Sequence, residues 1–389
     1  MNKIRQTPPK NISAYIHIPF CEHICYYCDF NKVFLEGQPV DEYIEALLKE
    51  MKLTLANHPI LACDTIYIGG GTPTSLNAKQ LDRLLSGIHD VLPTQTTKEF
   101  TIEANPGDLT QDKLDVIKNH KLNRLSMGVQ TFDDRLLKKI GRKHSAQDVY
   151  DTLELIKRNQ LTNVSIDLIY ALPGQSIESF RDTLTKALAF DLPHYSLYSL
   201  ILENKTMFMN WIRQGRMVLP NQELETQMFE EAIEAMEQSG HHQYEISNFA
   251  KRGLKSQHNL IYWNNKQYFG FGAGASGYLG NERYKNYGPI QHYLNPLREG
   301  RLPIYETERI SEKNQMEEEM FLGLRKIEGV HLEKFKQRFG QDLTNVYEKP
   351  LSELIAQGLA EMDETYFRLT KKGLFIGNEV FEKFLLTDE

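Results

Sequence analysis

Six short segments of strand-like sequence follow one another between residues 12 and 205, and helical stretches separate them. The predicted strands are residues 14–19, 65–69, 100–105, 124–129, 164–170 and 195–200. Each is rich in β-branched or aromatic residues and is followed by glycine, proline or polar residues. Strands that alternate with helices in this way form a parallel sheet with right-handed crossovers. The pattern predicts an α/β fold whose sheet closes into a full or partial barrel, with functional residues on the loops after the strands.

The first helical stretch shows why helices are predicted between these strands. In residues 41–55, Ile44, Leu47 and Met51 recur at the spacing of one helix face. Asp41 stands just before this apolar series and is predicted to be the N-cap of the helix.

The alternation of strands and helices stops near residue 205, and the sequence changes character twice after that point. Residues 206–305 hold a helical stretch followed by an aromatic and glycine-rich region. Residues 306–389 contain two amphipathic helical stretches and a short strand after a turn. We therefore predict three parts: a barrel in residues 1–205, an α+β region in 206–305, and a winged-helix-like module in 306–389. The mixed charges of the last module favour a structural role over nucleic-acid binding.

Three cysteines lie close together on the loop after the first predicted strand. Cys21, Cys25 and Cys28 have the spacing C-x3-C-x2-C. Thiolates at this spacing can bind three corners of a cubane iron–sulfur cluster. A cluster that only carries electrons usually has four protein ligands, so three ligands leave one iron open to a small molecule.

A structural zinc site is the alternative interpretation of the same cysteines. Cys63, His17 or His23 could complete such a site. Zinc sites, however, usually combine two C-x2-C or C-x2-H pairs, and the sequence has no second pair. The pattern therefore favours the iron–sulfur cluster.

Composition narrows the classes of function. The 389 residues include four cysteines, too few for a secreted disulfide framework, and carry a formal net charge of −7. An acidic balance argues against a large phosphate-binding surface, so no nucleic-acid partner is expected. The sequence shows no signal peptide and no apolar run of about 18 residues, so we expect a cytoplasmic protein without a transmembrane segment.

The sequence around the cysteines resembles that of a known superfamily. The string Y-I-H-I-P-F-C, from Tyr15 to Cys21, precedes the C-x3-C-x2-C motif, which has an aromatic residue before its last cysteine. These features are similar to the radical S-adenosylmethionine (SAM) superfamily, in the branch with oxygen-independent coproporphyrinogen III dehydrogenase. The resemblance implies a partial (β/α)6 TIM-like barrel, a [4Fe–4S] cluster on the three cysteines, and SAM on its open iron.

Several residues at the ends of the predicted strands also suit a cofactor site. Three glycines follow the second strand, where they would let the backbone approach a ligand. A carboxylate inside an apolar strand needs a partner or a ligand, because burying it alone is costly. The resemblance implies that the SAM-binding residues are Tyr15, Gly70, Gly71, Thr72, Glu103, Gln130, Arg142 and Asp167.

Two features point to heme. The dehydrogenase carries a fourth cysteine two residues after the third, and Phe30 stands there in this chain. The sequence H-N-L-I-Y-W from His258 to Trp263 resembles the H-N-x-x-Y-W motif of the heme chaperone branch of the family. Heme needs apolar walls and often an axial imidazole, and His258, Tyr262 and Trp263 offer both, although they could equally form part of a core. The resemblance makes them candidates for heme binding.

Glycines are frequent just after this motif, in residues 270–277. Gly272, Gly274 and Gly277 formally spell G-x-G-x-x-G, but no β-α-β unit is predicted around them, so a dinucleotide site is not expected. We expect close backbone packing near the SAM or heme site instead. Many relatives have histidine where Ser276 stands, so no ligand role is assigned to Ser276.

Two functions therefore stay open. The first is a heme chaperone that passes heme to an acceptor protein, such as a membrane-associated respiratory enzyme, with a flavodoxin or ferredoxin as electron donor. The second is a radical SAM enzyme, either the coproporphyrinogen III dehydrogenase or one with related tetrapyrrole chemistry. The replacement of the fourth cysteine by Phe30 counts against dehydrogenase activity. A third class, tRNA modification, is disfavoured by the acidic charge balance.

Overall fold

The structure is a computed structural model that describes residues 11–386 of the chain. Its first half alternates strands and helices as follows: β1 (Asn11–Ile18), β2 (Phe20–Cys21), β3 (Val33–Phe34), α1 (Val40–Asn57), β4 (Ala62–Gly70), a 3-10 turn (Pro73–Ser75), α2 (Ala78–Val91), β5 (Glu99–Ala104), α3 (Gln111–Asn119), β6 (Arg124–Gln130), α4 (Asp134–Lys139), α5 (Ala146–Arg158), β7 (Val164–Tyr170), α6 (Ile177–Leu188) and β8 (His194–Ser199). All six predicted strands are present.

The second half adds shorter elements: α7 (Met207–Arg213), α8 (Gln222–Gln238), β9 (His242–Glu245), β10 (Asn248–Ala250), α9 (Gln257–Trp263), β11 (Tyr268–Phe271), β12 (Ser276–Leu279), β13 (Glu282–Asn286), α10 (Ile290–Arg298), β14 (Ile304–Arg309), α11 (Glu312–Gly323), β15 (Val330–His331), α12 (Leu332–Phe339), α13 (Leu343–Val346), α14 (Glu348–Ala356), β16 (Ala360–Met362), β17 (Tyr366–Leu369), α15 (Lys371–Phe375) and α16 (Gly377–Glu382).

One sheet of twelve strands organises most of the chain, in the order β14-β13-β12-β11-β1-β4-β5-β6-β7-β8-β10-β9. The strands from β1 to β8 in this order are parallel, and β11 is also parallel to β1. The six parallel β/α units confirm the predicted α/β fold with a partial barrel. The strands β9 to β14 belong to the same sheet as β1 to β8, so the sheet continues across the predicted domain boundary at residue 205. The division of the chain into three domains stays a prediction.

The two faces of the central strands differ in a way that locates the site. In β4, Ile66 and Ile68 are fully buried against the helices, whereas Tyr67 between them is half-buried. In β5, Ile102 and Ala104 are likewise buried, and Glu103 is half-buried. Successive side chains of a strand point to opposite faces, so the half-buried residues line the inner face of the partial barrel, which we call the lumen.

Helix α1 starts earlier than the sequence indicated. Its first residue is Val40 and its N-cap is Pro39, without a side-chain cap, so the prediction that Asp41 is the N-cap was wrong. Proline fixes φ near the helical value at the start of a helix, which places Asp41 inside the first turn, where its negative charge suits the helix dipole.

The last part of the chain has an apolar core of its own, formed by residues between 316 and 384. It consists of the helices from α11 onward and a separate three-stranded sheet in the order β15-β17-β16. The winged-helix assignment for this module stays a prediction. Among the helices that the structure describes, none is long and apolar enough to cross a membrane.

Candidate functional site

The cysteine loop, residues 21–32, lies at the end of the barrel where the parallel strands have their carboxyl ends, which we call the mouth. Cys21 ends β2 and is buried, while Cys25 and Cys28 are half-buried, and all three are free thiols. The Tyr26 N–H donates a 3.1 Å hydrogen bond to the Ile140 carbonyl, and the Cys28 N–H donates to the Cys25 carbonyl at 3.3 Å. The loop thus presents three thiols at the position that the sequence predicted.

Burial governs the protonation of these thiols. It raises the pKa of Cys21 to about 11, against the opposing effect of the Thr72 hydroxyl. Burial also raises the pKa of Cys28, partly offset by the Lys32 ammonium group. Cys21 and Cys28 are therefore protonated until a metal displaces the protons. Within residues 11–386, no three His, Cys, Asp or Glu side chains are grouped so as to hold a single metal ion.

A continuous set of contacts leads from the cysteines to Arg142. The Cys21 Sγ lies 3.8 Å from the Thr72 Oγ1, which accepts a 2.9 Å hydrogen bond from the Asn105 amide. The Asn105 Oδ1 in turn accepts a 3.0 Å bond from the Arg142 Nη1. Burial alone would lower the pKa of Arg142, but Tyr27, Cys25 and Cys28 raise it above its usual value. Arg142 therefore stays a guanidinium cation beside the cysteine loop.

The side chain of Gln130 lies close to that of Arg142, and the backbone of Gln130 has an unusual conformation. Its φ is +69°, in the left-handed region, and the pairing of β6 with β7 is irregular between Gly128 and Gln130. Such bulges redirect a side chain near functional sites. A Cβ on Gly128 would lie 2.7 Å from the Arg142 Nη2 and 2.8 Å from the Gln130 Nε2. The glycine thus leaves room for the two side chains to converge.

The two glycines that end β4, Gly69 and Gly70, pack against Glu103. The Glu103 Oε1 accepts a 2.7 Å bond from the Tyr67 hydroxyl, and its Oε2 accepts a 3.1 Å bond from the Gly70 N–H. A Cβ on Gly69 would lie 2.8 Å from the Glu103 carboxyl carbon. Burial raises the pKa of Glu103 to about 7, with the Tyr67 hydrogen bond opposing the shift.

The remaining SAM candidates lie in and around the lumen. Gly71 approaches Pro19 and Phe20 so closely that a Cβ would lie 2.7 Å from the Pro19 carbonyl carbon. Tyr15 is half-buried and stacks on Tyr67 with 6.2 Å between ring centroids. Asp167 is half-buried on β7, and burial raises its pKa. The structure therefore gathers Tyr15 and Asp167 on the inner face of the sheet.

These residues fit the cofactors that the sequence predicted. The Arg142 Nε is buried and has no hydrogen-bond partner among the described residues, so the cation has a donor left for a ligand. Carboxylates are the anions that a guanidinium binds best, and SAM carries one. Glu103 and Asp167 are acceptors for hydroxyl or ammonium groups. The donor set suits a [4Fe–4S] cluster on the cysteines and SAM beside it.

The heme candidates lie at the other end of the barrel, where the strands begin, which we call the floor. His258 is 1% exposed on α9. Its Nδ1 lies 2.8 Å from the Thr65 hydroxyl, and its Nε2 lies 2.9 Å from the Tyr262 hydroxyl. Thr65 donates to the Ser13 hydroxyl, so Nδ1 carries the proton and Nε2 accepts from Tyr262. Burial lowers the pKa of His258 to about 3, so the ring is neutral.

Of the other two heme candidates, Tyr262 packs against this histidine and Trp263 packs against Arg325. Tyr262 makes edge-to-face contacts with His258 and with Tyr268. Trp263 is half-buried, its ring lies 4.6 Å from the Arg325 guanidinium, and its Nε1 has no partner among residues 11–386. A heme iron could bind His258 only after the hydrogen bond to Tyr262 breaks. The heme role of these three residues therefore stays a prediction, and the structure does not bring them to the mouth.

Sequence reasoning missed three residues that face the lumen. Tyr67 bonds Glu103 and Asn105 links Thr72 to Arg142, while Arg124 is buried with an Nε that has no partner in the described part of the chain. The period-two alternation of the strands could have found them, because Tyr67 precedes Gly69 by two residues and Asn105 follows Glu103 by two.

Comparison with known proteins shows which protein families this chain is similar to. The Radical SAM superfamily profile matches residues 15–187, and the HemN C-terminal domain profile matches residues 310–376. The chain is 50% identical to the heme chaperone HemW of Bacillus subtilis, over 96% of this chain and 99% of the relative. It is 34% identical to the heme chaperone HemW of Escherichia coli, over 97% of this chain and 98% of the relative.

One solved structure has the same fold over nearly the whole chain. Coproporphyrinogen III oxidase (HemN) from Escherichia coli, described as a radical SAM enzyme, superimposes with a TM-score of 0.83 and covers 98% of this chain and 91% of its own. The two sequences are 24% identical, so this likeness concerns the fold alone.

Proposed function

Because this chain belongs to the HemW family of radical SAM proteins, we propose that it is a heme chaperone, which binds heme and passes it to an acceptor protein. The observation that carries the proposal is the 50% identity to a HemW heme chaperone along 96% of the chain. Phe30 supports it from the sequence, since the dehydrogenase branch has a fourth cysteine at that position. The Phe30 side chain has no sulfur, nitrogen or oxygen atom and points largely into solvent, with 64% of its surface exposed, so it adds no ligand to the cysteine loop.

The mouth supplies what the cofactors require from the protein. Cys21, Cys25 and Cys28 would hold the cluster, which supplies one electron for reductive cleavage of SAM when both are bound. Arg142 would bind the SAM carboxylate through donors that include its unpartnered Nε. Glu103, held by Tyr67 and the Gly70 N–H, would accept hydrogen bonds from polar groups of SAM. Asn105 orients Thr72 and Arg142 toward each other.

Heme is the cargo, and His258 is the proposed ligand of its iron. The neutral imidazole is the form that binds a metal, and the lone pair on its Nε2 is the one that now accepts from Tyr262. Heme binding at His258 therefore requires that this bond breaks and that α9 moves. A binding-competent state that is rarely populated lowers the apparent affinity in proportion, so this hydrogen bond would restrain heme uptake.

The partners and the location are part of the proposal. We propose an acceptor hemoprotein, for example a membrane-associated respiratory enzyme, and a flavodoxin or ferredoxin that reduces the cluster. We also propose that the protein acts in the cytoplasm, where thiols remain reduced.

A heme titration of the anaerobically reconstituted protein tests the function. We expect about one heme per chain, and transfer of that heme to an added apo-hemoprotein, followed by the absorbance of the acceptor. A protein that binds no heme, or that keeps its heme in the presence of the acceptor, would contradict the proposal.

A radical SAM enzyme acting on a tetrapyrrole is the second candidate. The observation that favours it is the presence of the SAM candidates at the mouth and in the lumen, where Gln130 and Arg142 converge beside Gly128 and Glu103 packs against Gly69 and Gly70. Incubation with coproporphyrinogen III, SAM and a reductant distinguishes the two candidates. The chaperone proposal predicts no product, and the appearance of protoporphyrinogen IX would establish the enzyme instead.

A further inference from the structure

Hydrogen bonds hold the cysteine loop to the rest of the chain at several separate points. The backbone of β3 is tied to β2 on one side of the loop, where Val33 bonds Pro19 and Leu35 bonds Cys21. Between Cys28 and Val33 the chain must turn back toward the barrel, and Asn31 lies in that turn. Its contacts are the only ones among the described residues that join this part of the loop to the glycine-rich segment, residues 270–277.

The Asn31 amide donates both of its hydrogens to backbone carbonyls more than 200 residues away in sequence. The Nδ2 bonds the Ala273 carbonyl at 2.8 Å and the Gly288 carbonyl at 3.0 Å. Amide hydrogens matched to two carbonyls fix both the position and the orientation of the side chain. The loop is thereby fastened to the segment between β11 and β12 and to Gly288, two residues after the end of β13.

The glycines of that segment are explained by this contact. Gly274 has a φ of +75°, and a Cβ there would lie 2.8 Å from the Asn31 Nδ2. Gly272 has a φ of +101°, and a Cβ there would lie 2.8 Å from the Tyr43 hydroxyl. Both positions need glycine because the backbone conformation and the close neighbours exclude a side chain. In the formal G-x-G-x-x-G pattern, Gly274 thus leaves room for the cysteine loop and Gly272 leaves room for helix α1.

A buried carboxylate holds the receiving segment in place. Glu50 on α1 is 2% exposed and accepts bonds from the Gly272 N–H at 2.8 Å, the Asn286 amide at 2.6 Å and the Tyr293 hydroxyl at 2.5 Å. The Tyr43 hydroxyl lies 2.9 Å from the Ala273 nitrogen, which donates to it. Two hydrogen bonds, from the Gly272 and Ala273 N–H groups, therefore hold the segment to α1 before the Asn31 side chain is considered, and two more hold the Glu50 carboxyl group in place.

The backbone of Asn31 is joined to the lumen as well. Its carbonyl lies 2.7 Å from the His17 Nε2, and the Tyr15 hydroxyl lies 2.9 Å from the His17 Nδ1. A carbonyl can only accept, so Nε2 carries the proton and Nδ1 accepts from Tyr15. The Asn31 side chain is thus bonded to the glycine-rich segment. The Asn31 carbonyl is connected through the His17 ring to Tyr15, which is a SAM candidate.

We propose that Asn31 is a positioning residue that holds the cysteine loop in the conformation that binds the cluster, with the glycine-rich segment as its receptor. Without the two amide bonds, the turn between Cys28 and Val33 would lose its connection to the glycine-rich segment and keep only the bonds of its Asn31 carbonyl and Lys32 side chain, so the thiols would be ordered to a larger extent by the cluster itself. Residues that orient metal ligands without touching the metal commonly change metal affinity by about 10- to 100-fold.

Two variants test the proposal by different routes. Asn31→Asp keeps the size of the side chain but has no amide hydrogens to donate. Gly274→Ala leaves Asn31 intact but places a methyl group against it. Each has a matched control. Asn159→Asp removes a buried amide that donates to the Leu155 carbonyl in the helix region, and Gly280→Ala has the same kind of strain, at a φ of +60°, with no atom within 4 Å of the new Cβ.

The measurements are the iron and sulfide content after anaerobic reconstitution, the rate of iron loss to a chelator, and the thermal unfolding of the cluster-free protein. We expect Asn31→Asp and Gly274→Ala to lose iron about tenfold faster than the wild-type protein or more, while both controls stay within about twofold. Folded Asn31→Asp protein that retains its iron as the wild type does would overturn the proposal. If Asn31→Asp fails to fold, the comparison of Gly274→Ala with Gly280→Ala decides it in the same way.

Discussion

The mouth and the floor of the barrel are both rich in polar and aromatic side chains, yet they differ in whether the proposed ligand-binding atoms already have hydrogen-bond partners. At the mouth, Arg142 has an unpartnered Nε and Glu103 is half-buried against the lumen. At the floor, His258 is 1% exposed and both of its ring nitrogens have partners, and Glu99 accepts from the N–H groups of Gln257 and His258.

This difference separates a site that is ready for its ligands from one that is closed. Buried polar groups that are fully paired stabilise a fold, whereas unpaired ones that face an open space are available to a ligand. At the mouth, the Arg142 Nε is free for a ligand without breaking any hydrogen bond. The floor can accept heme iron at His258 only by giving up a hydrogen bond, so we expect the two ends to respond differently to substitution.

The largest effect is expected at the cysteines. Cys25→Ala should abolish the cluster, because two thiolates cannot hold it, and the reconstituted protein should lack the brown colour and most of the iron. Cys63→Ala is the control, since Cys63 is fully buried and its thiol bonds the Thr65 carbonyl. The control should keep its iron. Loss of the cluster from Cys63→Ala would revive the alternative in which Cys63 is a ligand.

The next effect concerns SAM at the mouth. Arg142→Lys should weaken SAM binding about 10- to 100-fold in an anaerobic calorimetric titration, because a lysine cannot reproduce the planar fork of donors. Arg135→Lys is the control, since Arg135 is exposed and paired with Asp133 on the surface. Equal SAM affinity in the Arg142→Lys variant and the wild type would remove Arg142 from the site.

A smaller effect is expected at the floor. Tyr262→Phe removes the hydroxyl that occupies the His258 Nε2, so it should strengthen heme binding several-fold, by roughly the value of one hydrogen bond of about 1 kcal/mol. His258→Ala should weaken heme binding and change its absorbance spectrum. If both variants bind heme as the wild type does, His258 is not the ligand, although the chaperone function would stand.

The smallest effect is a pH dependence that compares two carboxyl groups. Burial raises the pKa of Glu50 and of Glu103 to about 7 from the ordinary value of 4.5. Between these pH values the folded protein keeps a proton that the unfolded chain has lost, so the free energy of unfolding falls as the pH rises.

Urea unfolding of the cofactor-free protein at several pH values measures this slope. The fall attributable to Glu50 should be about 1 kcal/mol per pH unit, and Glu50→Gln should remove it. Glu103→Gln should remove a similar part of the slope, because the pKa of Glu103 is raised to the same value. Equal slopes in the wild type and in Glu50→Gln would show that Glu50 does not titrate in this range.

The sequence predicted the parts of the fold that depend on local patterns. The six parallel strands were predicted correctly, because buried strands read as short apolar runs between polar turns. The cysteine spacing likewise predicted the loop at the mouth. The start of α1 was missed by one residue, because Pro39 and Val40 begin the helix without a capping side chain.

The features of the fold and of the site that the sequence did not predict depend on contacts between residues that are distant in the chain. The pairing of β11 with β1 joins residues about 250 positions apart, and no local pattern reports it. The same holds for Asn31, which bonds the Ala273 and Gly288 carbonyls. For His258, the sequence indicated the right residue types for heme but not that the Nε2 lone pair already has a donor, since Tyr262 could equally have pointed away.

The central claim is that three cysteines at the mouth hold a [4Fe–4S] cluster whose fourth iron is open to SAM. Electron paramagnetic resonance of the reduced, anaerobically reconstituted protein, recorded with and without SAM, tests it most directly. We predict the signal of a reduced [4Fe–4S] cluster, and a change in that signal when SAM binds. A protein without an iron–sulfur signal, or one whose signal is unaffected by saturating SAM, would contradict the account.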